Sequence, residues 1–575
     1  MLYQEYLKNE LEIVLKNIFS ENRLDENLFN NLNFSIDISP RKEFGDLSSN
    51  IAMVACKILK ISPINLAEKI VSRLNKNKSI LKLEIVKPGF INFFFKNLFW
   101  QNQLQEFFDL PEKFDYKIKS KKICLEYVSA NPTGQMHIGH ARGAIFGDSL
   151  FSILSEVGHK VTSEYYINDA GEQINKLIET INFHLSNETN VEDEIPDNLY
   201  PGDYLKNLTK KVFKKNKTNN QINEKSKEII IKNILNDIRA DLKSINVVHQ
   251  SFVSEKKVSS FENVENLKKK LSEMKLAYYG FQERPKNIEE KDWEKKKHFL
   301  FRSKKFGDDS DRALIKTNGS LTYFMSDILY HQNKILRNFD LMINVWGVDH
   351  FGYVKRLKNA LNALNKKNVN LEIKLTSLVN LLKKNKQIKM SKRSGNFITM
   401  NEVVSEVGSD AIRYMMISRN ADKKIDFDLD VFFQKNKENP VFYIQYAYAR
   451  CMSIIQIVKE QKKEIRIDEE NADLLMLNKL ILEEEKLIIK HICSFYEVIK
   501  NSAKYYEPHR VSGFLYDLAK IFHNYWSKGN IDEKKRILIE NDDNTTRARI
   551  YLVFAVKKIL NKGLNLLKIK CPDKM

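Results

Sequence analysis

The chain has 575 residues, of which 43% are hydrophobic and 29% charged, and its formal net charge is +20. This length is too great for one hydrophobic core and predicts three or four domains, while the composition excludes a disordered protein. No stretch approaches the roughly 20 uncharged apolar residues of a membrane span, and the acid-containing N-terminus does not resemble a signal peptide.

The excess of basic residues favours a polyanionic partner, since Lys and Arg displace counterions from phosphate backbones. A lysine-rich compositional bias without any partner is the alternative. The five cysteines are scattered and form no CxxC pair, so we expect neither a structural zinc site nor a disulfide framework. This cysteine usage indicates a cytoplasmic protein with reduced thiols.

Residues 1–112 are predicted to form an α+β module. Helical periodicity runs through the first twenty residues, and "EFGDLSSNIAMVACKIL" predicts a loop followed by a helix with Ser48, Ser49 and Asn50 as possible caps. The stretch "LEIVKPGFINFFF" predicts two short strands broken at Pro88-Gly89.

Residues 113–435 are predicted to form a Rossmann-like α/β domain. "KICLEYVSA" reads as a strand, followed by a Pro-Thr-Gly turn and a helix that begins near His137. Further parallel strands are predicted in "HKVTSEYYIND", "LMINVWGVD" and "LEIKLTSLVNLL". The polar stretch 185–235 is predicted to be an exposed, poorly ordered insertion.

Residues 436–575 are predicted to form an all-α bundle, because apolar and aromatic residues recur at helical spacing throughout. The whole chain is therefore a multidomain α/β protein with an N-terminal α+β module and a C-terminal helical bundle.

The stretch "SANPTGQMHIGHARG" contains the first chemical signal, the histidines His137 and His140. A zinc site lacks the remaining ligands, and an acid–base pair lacks an acidic partner nearby. Two ordinary histidines at the start of a helix are the plain alternative. A tight turn at the end of a strand, Gly139 and the helix N-terminus favour a phosphate-binding site.

The stretch "KMSKRSGN" contains the second signal, with Lys389 and Lys392 on a loop that contains Ser and Gly. Basic side chains on such a loop can hold a polyphosphate and stabilise the charge of a leaving group. A lysine run alone is usually a solvated surface, and it is the pairing with "HIGH" that makes the signal specific.

"HIGH" and "KMSKR" together resemble the signatures of class I aminoacyl-tRNA synthetases, and "SANPTGQMHIGHARGAIFGD" resembles the bacterial type of arginyl-tRNA synthetase in particular. The resemblance covers nearly the whole chain, with "EYYINDAGEQINKL", "SLTYFMSDILYH", "WGVDHFGYVKRLKNAL" and "ENPVFYIQYAYAR" among its motifs. In "LNLLKIKCPDKM", Lys568 departs from the family, in which glycine is common at this position.

The resemblance implies activation of L-arginine by ATP, followed by transfer of arginine to tRNA(Arg). It makes His137, His140, Lys389 and Lys392 the catalytic residues. The residues that the resemblance implies for ATP binding are Pro132, Thr133, Gly134, His137, Gly139, His140, Lys389, Met390, Ser391 and Lys392. Magnesium is expected to accompany ATP, without a dedicated protein metal site.

For arginine, the resemblance assigns Tyr323, Asp327 and Glu255 to the guanidinium group. It assigns Glu126, Ser129 and Asn131 to the amino-acid backbone end. For tRNA, it implies that the first module binds the elbow and that the helical domain binds the anticodon loop. Aromatic and basic residues suited to single-stranded bases there are Tyr443, Tyr446, Tyr448 and Arg450, and at least one of the three tyrosines is expected to pack in the core instead.

The resemblance also suggests a monomer. Cysteinyl-tRNA synthetase is a rival, but the chain lacks its thiol-selecting cysteine and histidine set. Small HxGH nucleotidyltransferases lack a basic helical domain. A tRNA-binding paralogue without catalysis is disfavoured by the intact His137, His140, Lys389 and Lys392.

Overall fold

The computed structural model describes residues 3–24, 32–39, 42–111, 114–186, 195–213, 222–283, 296–366, 368–384, 386–388, 398–461 and 474–575. The elements of its first part are α1 (Tyr3–Glu21), β1 (Ile36–Ile38), β2 (Leu47–Ser49), α2 (Ile51–Leu59), α3 (Pro63–Leu74), β3 (Ile80–Val86), β4 (Phe90–Phe95) and α4 (Asn97–Phe108). The strands form one antiparallel sheet in the order β1-β2-β4-β3. The helices pack on this sheet and make the predicted α+β module.

The N-terminal helix and the two strands on either side of Pro88-Gly89 are confirmed. The predicted loop is wrong at Leu47–Ser49, because these residues form β2 and pair with both β1 and β4. Asn50 occupies the N-cap of α2, but its side chain makes no capping bond. Its Oδ1 accepts a hydrogen bond from the Ser35 backbone N–H at 2.8 Å, which ties a second segment to the start of the helix.

The central part of the chain is built on a parallel sheet. Its elements are β5 (Lys122–Glu126), α5 (Ile138–Glu156), β6 (Lys160–Ile167), α6 (Glu172–Ser186), α7 (Asp203–Phe213), α8 (Glu224–Ser244), β7 (Ser251–Ser254), α9 (Glu255–Val258), α10 (Phe261–Glu273), β8 (Ala277–Phe281), β9 (Lys297–Phe301), β10 (Arg312–Ile315), α11 (Tyr323–Leu336), β11 (Leu341–Gly347), α12 (Phe351–Asn365), β12 (Leu371–Thr376), β13 (Val379–Lys383), β14 (Lys386–Ile388), α13 (Met400–Met416), β15 (Ile425–Asp428) and α14 (Leu429–Phe432). Five strands pair in the order β12-β11-β5-β6-β7, and every pair is parallel. The predicted Rossmann-like sheet and its strand–turn–helix unit are confirmed, and β5 lies at the centre.

The stretch "LEIKLTSLVNLL" forms two strands where one was predicted. β12 belongs to the main sheet, whereas β13 pairs with β14 and β15 in a separate three-stranded sheet. The break falls at Ser377, whose backbone N–H and hydroxyl bond to the carbonyls of Ala421 and Asp422. A further sheet, β10-β9-β8, is antiparallel and lies in sequence between β7 and α11.

The stretch 185–235 differs from the exposed, poorly ordered insertion that its composition predicts. It contains α7 and most of α8, whose buried residues include Leu208, Ile230 and Ile234. Further along α8, the Asp241 carboxylate accepts a hydrogen bond from the Met136 backbone N–H at 3.1 Å. The prediction is wrong for these two helices, because they are amphipathic and bury their apolar faces.

The C-terminal part is helical, as predicted. Its helices are α15 (Pro440–Gln461), α16 (Leu474–Leu477), α17 (Glu483–Cys493), α18 (Phe495–Tyr505), α19 (His509–Ile531) and α20 (Asp543–Leu566). α20 is buried along most of its length and packs against α15, α17 and α19. After α20, Lys568 adopts a φ of 53°, the left-handed conformation that favours glycine, and its ammonium lies 2.6 Å from Asp148 Oδ1 on α5.

The first module contacts the helical bundle directly. α4 packs against α16 and α17, and Gln101 Nε2 donates to the Leu480 carbonyl at 2.9 Å. The buried Asp46 carboxylate forms an ion pair with Lys490 of α17. The division of the chain at residues 112 and 435 stays a prediction.

Candidate active site

The turn after β5 begins the site. Val128 and Ser129 both have positive φ, at 74° and 44°, so the chain reverses sharply beyond Glu126. Ser129 Oγ lies 3.1 Å from Glu126 Oε1 and accepts a hydrogen bond from the Tyr166 backbone N–H at 3.1 Å. These bonds fasten the turn to β6 and fix the residues that lead into α5.

His137 and His140 form a reciprocal cap at the start of α5. His137 Nδ1 accepts from the Gly139 backbone N–H at 3.1 Å, and His140 Nδ1 accepts from the His137 backbone N–H at 3.3 Å. The two rings stack with centroids 3.9 Å apart. Because each Nδ1 is an acceptor, a neutral ring carries its proton on Nε2. Both histidines can therefore donate from Nε2 to an anion at the helix N-terminus.

Gly139 is required by this stacking. A Cβ on Gly139 would lie 2.9 Å from the His137 Cε1 and Nδ1 atoms. Pro132, Thr133 and Gly134 make the bend before the helix, where the Thr133 backbone N–H donates to the Asn131 carbonyl at 2.8 Å. The bend therefore lies shortly before the first turn of α5.

The "KMSKR" residues Lys389, Met390, Ser391 and Lys392 lie outside the described residues. The described chain resumes beside the histidines: Thr399 forms an antiparallel bridge with His137. The Met400 backbone N–H also donates to the Met136 carbonyl at 3.0 Å. The described chain from residue 398 onward is therefore paired with the start of α5.

A cavity of about 1200 Å³ opens at the carboxyl ends of β5, β6 and β11. Five of the six residues predicted for arginine line it, namely Glu126, Ser129, Asn131, Tyr323 and Asp327. The sixth, Glu255, is buried behind α11 and does not line the cavity. Its carboxyl group accepts a hydrogen bond from Ser326, the neighbour of Asp327. The charge of Glu255 contributes to the raised pKa of Asp327, which does line the cavity.

Asp327 is an acid of the cavity wall whose pKa is strongly shifted. Burial raises the pKa of Asp327 to about 7, and the nearby charges of Glu126 and Glu255 add to this effect, against the Tyr353 hydrogen bond and the charge of Lys334. The pKa of Glu255 is also raised, by burial first and then by the charge of Asp169. A cation that enters the cavity relieves this repulsion, so the site is prepared for a positive ligand.

Several cavity residues had no role predicted from the sequence. Tyr353 donates from its hydroxyl to Asp327 Oδ2 at 2.6 Å, and Trp346, Asp349 and His350 line the same wall. All four come from "WGVDHFGY", at the carboxyl end of β11. The sequence did offer one signal for these four residues, because they follow the carboxyl end of a predicted parallel strand. Ligands bind at that edge of a doubly wound sheet.

The aromatic residues predicted for tRNA binding divide between two faces of α15. Tyr446 is 38% exposed, and the Arg450 guanidinium carbon lies 4.6 Å from its ring centroid. Tyr443 is half-buried, with its ring 4.4 Å from that of His523. Tyr448 is only 7% exposed, which agrees with the core-packing role expected for at least one of the three tyrosines. Tyr448 lies five positions after Tyr443, which turns its side chain to a different face of the helix.

Within the described ranges, no group of three or more His, Cys, Asp or Glu side chains is arranged to hold a metal ion. No helix in those ranges is long and apolar enough to cross a membrane.

Family models match three consecutive parts of the chain. Residues 4–95 match the arginyl tRNA synthetase N terminal domain, residues 109–431 match the class I (R) tRNA synthetase catalytic domain, and residues 444–575 match the DALR anticodon binding domain. The fold and the catalytic-domain match define a class I aminoacyl-tRNA synthetase. The chain belongs to the arginyl-tRNA synthetase family.

Two relatives agree with this membership, and one solved structure shares the fold. The arginine–tRNA ligase of Ehrlichia chaffeensis is 40% identical over 544 residues, which cover 93% of each chain. That of Rickettsia felis is 40% identical over 582 residues, covering 97% of this chain and all of the relative. The structure of Thermus thermophilus arginyl-tRNA synthetase has a TM-score of 0.72 at 18% identity, covers both chains fully and supports the same fold.

Proposed function

We propose that this chain joins L-arginine to tRNA(Arg) at the expense of ATP, for use in protein synthesis. The observation that carries the proposal is the meeting of two features at the end of β5. An acidic cavity contains Glu126 and Asp327, and the imidazole-capped start of α5 lies a few residues beyond. The first feature suits a ligand with two cationic groups, such as arginine, and the second suits a nucleotide phosphate.

Arginine would lie with its guanidinium group against Asp327 and the Tyr323 hydroxyl, because a guanidinium group prefers a carboxylate that it can meet with paired N–H bonds. Its α-ammonium group would meet Glu126 and Ser129, and Asn131 would contact the carboxylate end. Glu255, which bonds to Ser326, would add negative potential behind Asp327. This orientation directs the α-carboxylate of arginine toward the start of α5.

ATP would lie against the bend of Pro132, Thr133 and Gly134, with its phosphates near the Nε2 atoms of His137 and His140. Gly139 keeps the helix start open for the nucleotide. Lys389 and Lys392, with the backbone of Met390 and Ser391, would hold the β- and γ-phosphates. Magnesium would accompany ATP and neutralise part of the triphosphate charge.

Two transfers would follow. The α-carboxylate oxygen of arginine attacks the α-phosphorus, which forms arginyl-adenylate, and the bond to the β-phosphate bridging oxygen breaks to release pyrophosphate. A ribose hydroxyl of the terminal tRNA adenosine then attacks the arginyl carbonyl, and AMP leaves. The protein residues orient the reactants and stabilise charge, without a covalent enzyme intermediate.

The tRNA would span the molecule, with its elbow on the first module and its anticodon loop on the helical bundle. Tyr443, Tyr446 and Arg450 are the residues of α15 that we propose for contact with anticodon bases. The net charge of +20 suits this polyanionic partner. We also propose that the protein is a cytoplasmic monomer.

Substitution of Asp327 tests the arginine pocket. Asp327→Asn should raise the KM for arginine by about 100-fold or more, because a bidentate charged bond is lost. The dissociation constant of ATP should stay within about twofold of the wild-type value. Asp340→Asn, an exposed carboxyl at the opposite end of β11, is the control and should leave both constants unchanged. Arginine kinetics that stay unchanged in Asp327→Asn would exclude this pocket.

A further inference from the structure

A buried carboxylate, that of Asp46, lies where the first module meets the helical bundle. Its Oδ2 atom accepts hydrogen bonds from the Phe95 backbone N–H at 2.7 Å and from the Trp100 indole N–H at 3.4 Å. Both donors belong to the first module, and Asp46 is only 6% exposed. The first module alone therefore fixes the position of this carboxylate.

The other oxygen of Asp46 faces α17 of the bundle. Oδ1 forms an ion pair with Lys490, and the ammonium of Lys486, one turn earlier on α17, lies 3.9 Å away. The Lys490 ammonium also lies 5.3 Å from the centroid of the Trp100 ring. Because a buried carboxylate without a partner is costly, orientations of the module that bring a lysine to Asp46 are favoured.

A second polar contact lies just before α17. Gln101 of α4 is buried and donates from Nε2 to the carbonyl of Leu480 at 2.9 Å and to that of Asn478 at 3.3 Å. α17 begins at Glu483 and a helix rises about 1.5 Å per residue, so Lys490 lies roughly 10 Å further along the helix. Contacts at two separated points fix the direction of α17 against the first module, whereas one point would leave it free to pivot.

The position of α17 also determines the position of α15, which carries the proposed anticodon contacts. α17 packs against α19 and α20, and both of these helices pack against α15. On α19, His523 Nε2 lies 3.1 Å from the Tyr443 carbonyl oxygen, and His523 Nδ1 lies 2.6 Å from Arg450 Nη1. The contacts of Asp46 and Gln101 therefore set where α15 lies relative to the first module.

We infer that Asp46 and Lys490 are positioning residues for tRNA, whose ion pair holds the first module and α15 at the separation that one tRNA molecule requires. This inference rests on the proposed function, which places the tRNA elbow on the first module and the anticodon loop on the bundle. A folded tRNA presents these two regions at a nearly fixed distance. When the protein surfaces are already held at that distance, the second contact forms with little further loss of freedom, which raises the affinity for the whole molecule.

Direct phosphate binding by Lys490 is the alternative, since its side chain is 20% exposed. The effect of Asp46→Asn distinguishes the two roles. Loss of the carboxylate releases Lys490 and Lys486 for contact with RNA, so direct binding predicts equal or higher tRNA affinity in this variant. Positioning predicts lower affinity, because the module loses its fixed orientation on α17.

Affinities for whole tRNA and for a fragment test the inference. Asp46→Asn and Lys490→Met should each weaken the binding of full-length tRNA(Arg) by about tenfold, because two linked contacts lose their preset spacing. Each variant should bind the isolated anticodon stem–loop within about twofold of the wild type, because this fragment contacts the bundle alone. The KM for tRNA in charging should rise by about tenfold, while kcat and the KM for arginine at saturating tRNA stay within about twofold. The double variant should be no weaker than either single variant, because both act through one ion pair.

Tyr525→Phe is the matched control, since it also removes a polar contact of α17. The hydroxyl of the buried Tyr525 donates to Glu485 Oε1 on α17 at 3.0 Å. This variant should lower the denaturant midpoint of unfolding but leave the affinity for full-length tRNA(Arg) within about twofold. Asp46→Asn keeps the shape of the side chain, and its amide oxygen can accept the N–H bonds of the first module, so we expect it to fold.

The outcomes separate this inference from the proposed function. Weaker binding of full-length tRNA(Arg) in both single variants, with unchanged binding of the stem–loop, supports the positioning role. Unchanged affinity in Asp46→Asn, an equal loss for the stem–loop, or an equal loss in Tyr525→Phe overturns this inference alone. A wild-type protein that binds no tRNA(Arg) overturns the proposed function.

Discussion

At the residue scale, the first turn of α5 depends on three neighbouring groups. The His137 and His140 imidazoles each accept a backbone N–H at Nδ1 and stack on one another, and Gly139 gives them the space to do so. The hydrogen bonds that cap the backbone therefore also fix the direction of the two Nε2–H groups. Loss of any one of the three groups would disturb the proposed phosphate site.

Gly139→Ala tests this arrangement. A Cβ 2.9 Å from the His137 ring must displace it, and we expect arginine activation, measured by pyrophosphate exchange with tRNA present, to fall by about 10- to 100-fold. Gly143→Ala is the control, since a Cβ there meets nothing within 4 Å, and it should stay within about twofold of wild type. Equal activity in the two variants would contradict the steric role of Gly139.

The raised pKa of Asp327 predicts a pH-dependent affinity for arginine. The guanidinium group binds the ionised carboxyl, whereas burial favours the protonated form and raises the pKa of Asp327 to about 7. Affinity should therefore weaken as the pH falls from 8 to 6, and a proton should be released on binding. Titration of arginine binding across this range checks it. A Kd that is constant from pH 6 to 8 would show that Asp327 does not titrate in contact with the ligand.

At the element scale, α15 divides its aromatic residues between an exposed face and the bundle core. Tyr443, Tyr446 and Arg450 follow one another at intervals of three and four residues, and the ring of Tyr446 lies under the Arg450 guanidinium group. Tyr448 points into the core. A helix that exposes stacked aromatic and cationic groups suits single-stranded bases.

Substitutions on the two faces of α15 should have different effects. Tyr446→Ala should weaken tRNA binding by about 1–3 kcal/mol, the usual value of one base–aromatic stack, with little change in stability. Tyr448→Ala should instead lower the free energy of unfolding by about 3–5 kcal/mol, because it leaves a cavity in the core. Filter binding and denaturant unfolding measure these quantities. If Tyr448→Ala folds stably and loses tRNA affinity while Tyr446→Ala keeps it, the assignment of the two faces of α15 is wrong.

The sequence predicted elements whose periodicity is strong and local, such as α1, β5 and the long helices of the bundle. It did not predict α7 and α8, because their wide polar faces dominate the composition and hide a narrow apolar stripe. Nor did it separate β12 from β13, since both are apolar and the break at Ser377 depends on bonds to residues far along the chain. Local pattern carries no information about such long-range bonds.

The same limit applies within the site. Glu126, Ser129, Asn131, Tyr323 and Asp327 were predicted from motifs, and they line one cavity. Lys334 had no signal, because a lone lysine on a helix is usually solvated and only the tertiary fold buries it beside Glu126.

At the scale of the whole molecule, Asp148 joins helix α5 to the C-terminal tail. Its carboxylate lies 2.8 Å from Arg413 Nη2 and 2.6 Å from Lys568 Nζ. Arg413 also donates to the carbonyls of Leu567 and Ile245, so one buried guanidinium group connects three segments. Lys568, which has a left-handed backbone conformation, supplies a second cation to the same carboxylate.

Removal of the buried guanidinium group should destabilise this junction. Arg413→Met should lower the free energy of unfolding by about 3–5 kcal/mol, because Asp148 stays buried without its main partner. Arg510→Met, which removes a surface pair with Glu507, is the control and should cost about 1 kcal/mol or less. Denaturant unfolding compares them. Equal, small losses would show that the junction adds little to stability.

The activity to be measured is the attachment of arginine to tRNA. The most direct measurement is the charging of a purified tRNA pool by the full-length protein with ATP and each labelled amino acid in turn. We expect that arginine alone is attached, to the arginine-accepting tRNA, and that omission of ATP abolishes the reaction. Attachment of a different amino acid, or of none, would contradict it.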